Sequence, residues 1–234
     1  MRKKIVETSN ISSLIRALES LSARGAGEEG MALFYGPPGA GKTTALAYAQ
    51  LRTQATMLRA RSTWSITSML GQLLRELGLS ETGSRDTRLD RIIEHLSLHP
   101  RPILVDEVDY ALRRPELLDV FRDVYDLSKV PVVFVGMQDA PRILRSHPRL
   151  LRHRRRVTRW VEAGPLALNE LKRVAEELCE VAVGERLLGR LHKESWGNMG
   201  LAVVGLGVIE RVGKSNGEPR VSESMMQDVS LLGG

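Results

Sequence analysis

The stretch GMALFYGPPGAGKTT, from Gly30 to Thr44, leaves a chain few ways to fold. An apolar run is followed by a turn rich in glycine and proline, and then by a helix-forming run. Gly36, Gly41, Lys42 and Thr43 fall at the spacing G-x-x-x-x-G-K-[ST], and each residue type has a reason to be there. The glycines let backbone N–H groups curl around phosphate oxygens with no Cβ in the way. The N-terminus of the following helix adds the positive end of its dipole. Lys42 reaches the β- and γ-phosphates, and the Thr43 hydroxyl ligates magnesium. Pro37 and Pro38 stiffen the approach. The candidate nucleotide-binding loop is therefore Gly36, Pro37, Pro38, Gly39, Ala40, Gly41, Lys42, Thr43 and Thr44.

A second apolar run, RPILVDEVDY from Arg101, ends in Asp106 and Glu107. It reads as a short buried parallel strand with two acids at its tip. Asp106 is expected to hold magnesium through water together with Thr43. Glu107 is expected to polarise the attacking water as general base. Asp109 reads as a helix cap or a surface acid.

The rest of the pattern alternates strands with helices, which predicts a parallel sheet with helices on both faces. A helix is expected over Asn10–Ala23, a strand in ATMLRA from Ala55, and helices near Ser65–Leu77 and Asp86–Leu96. Pro115 starts another helix. VPVVFVGMQDA from Val130 supplies a further strand, and Val157–Glu162 the fifth. After Pro165 the pattern reads as helical only: Asn169–Val183, Glu185–Lys193 and Asn198–Val212. GKSNGEP reads as a loop, and Val221–Leu232 as a last short helix or tail. The expected division is an α/β nucleotide-binding domain over residues 1–165, a helical lid over 166–215 and a tail over 216–234.

Composition narrows the class of protein. The hydrophobic fraction of 42% with 26% charged residues is that of a globular domain, and no run of apolar residues approaches the length of a membrane span. The start, MRKKIVETSN, lacks the apolar core of a secretory signal. A single cysteine, Cys179, excludes an internal disulfide framework. A cytoplasmic location is the resulting expectation.

Charge is distributed unevenly. The chain has 34 basic and 28 acidic residues, and eight of its arginines lie between Arg142 and Arg159 with no acid among them. Such a segment reads as a nucleic-acid patch, as groups that reach a neighbour's active site, or as a solvated face. The lack of acidic neighbours in sequence counts against the last.

The order of these features — phosphate loop, LVDEVD, a polar residue after a further strand, an arginine cluster and a helical tail — resembles an AAA+ ATPase, a P-loop NTPase with a five-stranded parallel sheet sandwiched by helices and a small helical lid. More closely, residues 5–212 resemble the DNA-transposition regulators of the MuB and TnsC/TniB kind. The similar stretches are ETSNI, GMALFYGPPGAGKTT, LRARSTWS and VPVVFVGMQDA. The resemblance implies ATP bound with magnesium between subunits of a ring or helical filament on duplex DNA. It further implies recruitment and stimulation of a transposase at that target, and slow hydrolysis, stimulated by DNA and oligomerisation, that dismantles the assembly. Lys42, Asp106 and Glu107 take the catalytic positions, and the first sensor falls at Met137 or Gln138. Gln138 is favoured because an amide can hydrogen-bond a γ-phosphate or its attacking water.

The resemblance also places an arginine finger in RLLRHRRRV. Arg152, Arg154, Arg155 and Arg156 are candidates, with Arg156 and Arg152 first. The surplus arginines, chiefly Arg154 and Arg155, are expected on DNA phosphates. Arg59, Arg61 and Thr63 after the second strand and Arg113 and Arg114 after the acidic strand join them, with sequence-independent contacts, since no recognition helix is evident. Trp64 reads as a stacking wedge or, preferably, a buried lid-side anchor. One departure stands out. Relatives place an arginine in a lid run like G-N-x-R, whereas here the run is WGNMG and Gly200 fills that slot, implying weak coupling of hydrolysis to lid closure. With about nine residues before the first helix and no helix-turn-helix domain, DNA contact is expected from the ATPase domain itself. Rival readings are a helicase-loader-like ATPase preferring single strands, an ExeA-type ATPase without a DNA role, and a non-enzymatic adaptor in which the acidic pair is idle.

Overall fold

Five short runs rich in β-branched and aromatic residues form strands: β1 (Met31–Tyr35), β2 (Thr56–Arg59), β3 (Ile103–Asp106), β4 (Val132–Gly136) and β5 (Val157–Glu162). The computed structural model describes residues 1–232. All five strands run parallel in the order β2-β3-β4-β1-β5. Position in the sheet explains their composition. The central β3 and β4 are buried at every residue and read as continuous apolar runs, whereas the edge strands β2 and β5 carry exposed positions. The register pairs Arg59 with Asp106 and Tyr35 with both Gly136 and Glu162, so the ends of all five strands meet along one edge of the sheet. Ligands of open α/β sheets gather at this carboxyl edge.

The connecting helices are α1 (Ser9–Ser22), α2 (Lys42–Thr53), α3 (Ile66–Glu76), α4 (Arg85–Leu98), α5 (Asp109–Leu112), α6 (Pro115–Ser128), α7 (Ala140–Ser146) and α8 (Leu151–Arg154). Their starts follow local chemistry. Ser65 and Ser68 form a reciprocal capping box at α3, Ser84 accepts from Thr87 N at α4, and Pro115 sits in the first turn of α6. The chain divides into two compact units. The α/β unit comprises residues 11–37 and 42–163. Its core is centred on Phe121, which meets Phe134 edge-on at 5.8 Å and Trp64 at 6.4 Å. Trp64 is thus buried in the α/β core rather than in the lid, with its Nε1 donating to Gln72 at 3.2 Å.

The second unit takes in residues 1–10, 38–41 and the chain from Gly164 onward. Its helices are α9 (Leu168–Leu178), α10 (Glu185–Ser195) and α11 (Met199–Ser215). It is not wholly helical: β6 (Ala182–Val183) pairs in parallel with β7 (Arg220–Val221). The helix expected to reach Val183 stops at Leu178. Cys179 leaves the helix in extended backbone, at φ −80° and ψ 144°, and the chain bends before β6 begins at Ala182. The loop expected from Gly213 begins later, because α11 runs through to Ser215. Gly213 is a packing glycine: a Cβ there would lie 2.6 Å from Val221 Cγ2. After β7 the chain makes a 3-10 turn over Glu223–Met226, and Val221, Met226 and Leu231 are buried in this unit's core. Among the described residues no helix is long and apolar enough to cross a membrane.

The aromatic cluster gives a stability test. Phe121→Ala removes the ring that joins Trp64 to Phe134, and we expect a loss of about 3–5 kcal/mol, read as a lower urea midpoint at unchanged slope.

Candidate functional site

The phosphate loop leaves β1 at Gly36, and here glycine is demanded by space. A Cβ on Gly36 would lie 2.8 Å from the Ala163 carbonyl oxygen, just beyond the end of β5. Gly39 and Gly41 are demanded by conformation, with φ of +78° and +84°. Lys42 opens α2, and its Nζ donates to the carbonyls of Gly36 and Pro37 at 2.7 and 2.8 Å. Half-burial pushes the Lys42 ammonium below its usual range, and the nearby Asp106, Asp109 and Glu107 carboxylates oppose this. They hold the cation in place for a polyanion.

Asp106 ends β3 and is 4% exposed. It accepts from the Glu107 backbone N–H at 2.9 Å and from the Thr43 hydroxyl at 3.4 Å. Burial raises its pKa above the ordinary aspartate value, against the pull of the Glu107 N–H, Arg59 and Thr43. No cluster of three or more metal-binding carboxylate, histidine or cysteine side chains exists among the described residues. The donor set is therefore one hydroxyl and one desolvated carboxylate. That set suits magnesium, which keeps several waters and takes its remaining ligands from phosphates.

Glu107 is a non-glycine residue at φ +56°. This costs of order 1 kcal/mol and persists because both flanking residues are fixed: Val108 N donates to Val135 O at 2.9 Å, and Asp106 is held as described. The Glu107 carboxylate accepts from Arg59 at 3.1 Å across β2 and β3. Arg59, expected on DNA, is thus tied to the expected general base.

Asp109 is neither a cap nor a surface acid. Both its carboxylate oxygens accept from Met137 N, at 3.0 and 3.1 Å, and burial raises its pKa. It thereby fixes the turn after β4, and Gly136 permits the approach, since a Cβ there would meet Val108 and Asp109 at 3.0 and 3.3 Å. The sequence signal for this role was only the acid's offset from the strand tip. Gln138 is exposed on the same turn and donates to Glu162 at 3.2 Å.

The arginine segment has acids after all, supplied in space by α6. Arg156 grips Asp126 with Nε and a terminal nitrogen, at 3.0 and 2.7 Å, and Arg152 holds Asp119 at 2.6 Å. Asp119 also meets Arg122 and the buried His153, whose Nε2 lies 3.1 Å away but off line for a hydrogen bond. Burial pushes His153 down to about 4, with Asp119 opposing and the arginines assisting, so the ring is neutral near pH 7. Arg145 stacks over Trp160 at 4.4 Å. Arg154 and Arg155 are exposed and make no ion pair among the described residues. Arg152, Arg155 and Arg156 line an open cleft of about 720 Å³ with Arg149, Glu116 and Asp119. Of the other expected DNA contacts, Arg61, Thr63 and Arg113 are exposed, and Arg114 is engaged with Glu116 and the Trp64 carbonyl.

Burial of the Asp106 carboxylate couples stability to pH. The native state binds this proton more tightly than the unfolded state, so stability is lost as pH rises from the ordinary value of 3.8 through the raised one. At neutral pH the ionised carboxylate destabilises the nucleotide-free fold. Asp106→Asn should therefore melt higher than the wild type at pH 7, and the gap should close as the pH approaches 4.

Comparisons with known proteins fit this geometry. The fold matches the ORC2 protein of Aeropyrum pernix, solved as ADPNP–ADP complexes, with a TM-score of 0.70 and 17% identity over 93% of this chain and 66% of that one. It matches Cdc6p from Pyrobaculum aerophilum at 0.65 and 18%, over 98% and 70%. It also matches the Aeropyrum pernix ORC1 protein solved in complex with DNA, at 0.65 and 18%, over 96% and 65%. The chain spans about two thirds of the length of these proteins, and at such identities the likeness is one of fold. Comparison with curated proteins gave no significant match. The AAA domain family matches residues 24–144, just over half of the sequence, and the chain belongs to that family.

Proposed function

We propose that this AAA domain is an ATPase that assembles on duplex DNA and delivers it to a transposase, in the manner of the MuB and TnsC group. The observation that carries the DNA-coupled part is the Arg59–Glu107 ion pair at 3.1 Å. It joins a residue expected on DNA to the residue expected to activate water. Both side chains are partly solvated, at 64% and 35% exposure, so the pair is worth at most about 1 kcal/mol and a DNA phosphate competes for Arg59 on equal terms. Capture of Arg59 by DNA would release the Glu107 carboxylate, which is how hydrolysis would come to be stimulated by DNA. The recruitment step is supported by the resemblance in motif order.

In this reading the N–H groups of Gly39–Thr44, at the loop and the start of α2, bind the ATP phosphates, and Lys42 neutralises their β and γ oxygens. Thr43 and Asp106 hold magnesium, which when bound offsets the charge that develops on the phosphates. Glu107 accepts the proton of the attacking water, and Gln138 orients that water or the γ-phosphate. Residues 1–165, 166–215 and 216–234 serve as catalytic domain, lid and tail. The finger position falls within Arg152–Arg156. Because Arg152 and Arg156 are engaged by acids of their own chain, Arg155 and Arg154 are the members free to reach a neighbour or a phosphate. Arg61, Thr63 and Arg113 complete the proposed DNA surface. The Aeropyrum pernix ORC1 protein was solved in complex with DNA on a similar fold, which supports DNA as ligand.

The first test is electron microscopy with ATP and linear duplex, compared with ADP and with single strands. We expect rings or filaments only with ATP and duplex, and none with Lys42→Ala. Assembly on single strands alone would favour a helicase loader. Glu107→Gln should hold assemblies together by abolishing hydrolysis. Arg59→Ala should raise the DNA-free ATPase rate, and a rate still low without DNA would break the proposed coupling. Arg154→Ala and Arg155→Ala should each lower the slope of log affinity against log salt by about one.

A further inference from the structure

The tip of the phosphate loop is held from behind by two asparagines. Three consecutive carbonyls are engaged. Asn198 Nδ2 donates to Pro38 O at 2.8 Å, Gly200 N to Gly39 O at 2.9 Å, and Asn10 Nδ2 to Ala40 O at 3.0 Å. Each donor is itself fixed. Asn198 caps α11, its Oδ1 accepting from Leu201 N at 3.1 Å. Asn10 is 8% exposed and also bonds Gly164, giving to its carbonyl at 2.9 Å and accepting from its N–H at 3.0 Å. The fit is close: a Cβ on Gly39 would lie 2.3 Å from Asn198 Oδ1.

Peptide planarity turns this into a statement about the other side of the loop. In a trans peptide the C=O of one residue and the N–H of the next point in opposite directions. Fixing the carbonyls of Pro38, Gly39 and Ala40 outward aims the N–H groups of Gly39, Ala40 and Gly41 inward together. We propose that Asn198 and Asn10 are positioning residues for nucleotide binding, holding the loop's amide donors convergent on phosphate. The proposal rests on the nucleotide-binding part of the function above and is independent of DNA and transposase. It also gives the WGNMG run a role that needs no arginine. Within the second unit the loop tip is met by a neutral amide and a backbone N–H, and Gly200 suits the place, since a Cβ there would lie 3.3 Å from Asn198 Oδ1 and 3.4 Å from Gly39 Cα.

An arginine on the γ-phosphate separates ATP from ADP, whereas a clamp behind the loop acts on both alike. It is uniform binding, so it should change KM and leave the saturated rate alone. Asn198→Asp and Asn198→Ser together isolate the role, because each keeps an oxygen to cap α11 and loses the amide donor to Pro38 O, and only Asp adds a charge that itself repels phosphate. The experiment titrates the full-length variants with fluorescent ADP and ATP and measures steady-state hydrolysis and melting temperature. We expect melting close to wild type, with Kd for both nucleotides raised about tenfold and the rate at saturating ATP within about twofold. Asn10→Ser, which removes the donor on the opposite flank, should raise both Kd values in the same way. Unchanged affinity in the folded Asn198 variants would overturn the clamp, as would a loss confined to ATP. Wild type that binds neither nucleotide would overturn the site itself. Binding abolished by Lys42→Ala but untouched in all three asparagine variants would overturn the clamp alone.

Discussion

A loop of backbone can hold phosphate only if its carbonyl groups are disposed of elsewhere. Each peptide carries a donor and an acceptor on opposite sides, and an acceptor facing a phosphate oxygen repels it. Much of this chain is arranged around that constraint. Gly36 passes a strand end too tight for a side chain, and Gly39 and Gly41 take backbone angles that other residues rarely adopt. The carbonyls of Gly36 and Pro37 face Lys42, and those of Pro38, Gly39 and Ala40 face Asn198, Gly200 and Asn10. Five successive acceptors are thus satisfied within the protein, and the amide donors are left for a ligand.

The same edge of the sheet concentrates charge that the fold alone does not favour. Asp106 and Asp109 are both raised by burial, and Glu107 sits at a positive φ. A carboxylate desolvated at a strand tip is a poor structural residue and a good ligand for a small hard cation. Lys42, lowered by burial and opposed by three nearby carboxylates, completes a place where opposite charges are gathered in partly buried surroundings. Strain and desolvation collected at one place are the physical mark of a functional site.

What the sequence disclosed depended on distance along the chain. The strands were legible because their apolar runs are local, and β5 begins and ends where its pattern does, at Val157 and Glu162. The positions of the glycine-rich loop and of the acidic strand tip were legible because each directly follows a local apolar run. The end of α9 at Leu178 was not legible, because Val181 and Ala182 continue its apolar spacing as a longer helix would. Gly213 looked like a terminator because its packing against Val221 is a tertiary fact. Asn10 and Asn198 gave no signal, since an asparagine before a helix reads as a cap, and Asn198 is one. Their second role needs a partner far away in sequence. Asp109 was missed for the same reason, because Met137 N becomes its partner only once β3 and β4 are paired.

The arginine segment shows how helical period sorts residues that composition treats alike. Asp119 and Asp126 are seven apart on α6 and so share a face two turns long. Arg152 on α8 and Arg156 in the turn just past its end are brought to one side, Arg156 donating to the Arg152 carbonyl at 3.1 Å. When those faces meet, both arginines find carboxylates, and His153, beside them and buried, is kept neutral by burial and by three guanidinium groups. Arg154 falls about 200° around the turn from Arg152, away from those acids, while Arg155 lines the same open cleft as Arg152 and Asp119 without an ion pair of its own among the described residues. The acids of α6 thus divide the cluster in two. One pair anchors the segment to α6 through Asp119 and Asp126. Arg154 and Arg155 are exposed and make no ion pair among the described residues, so their charge is open to an anion from outside the chain.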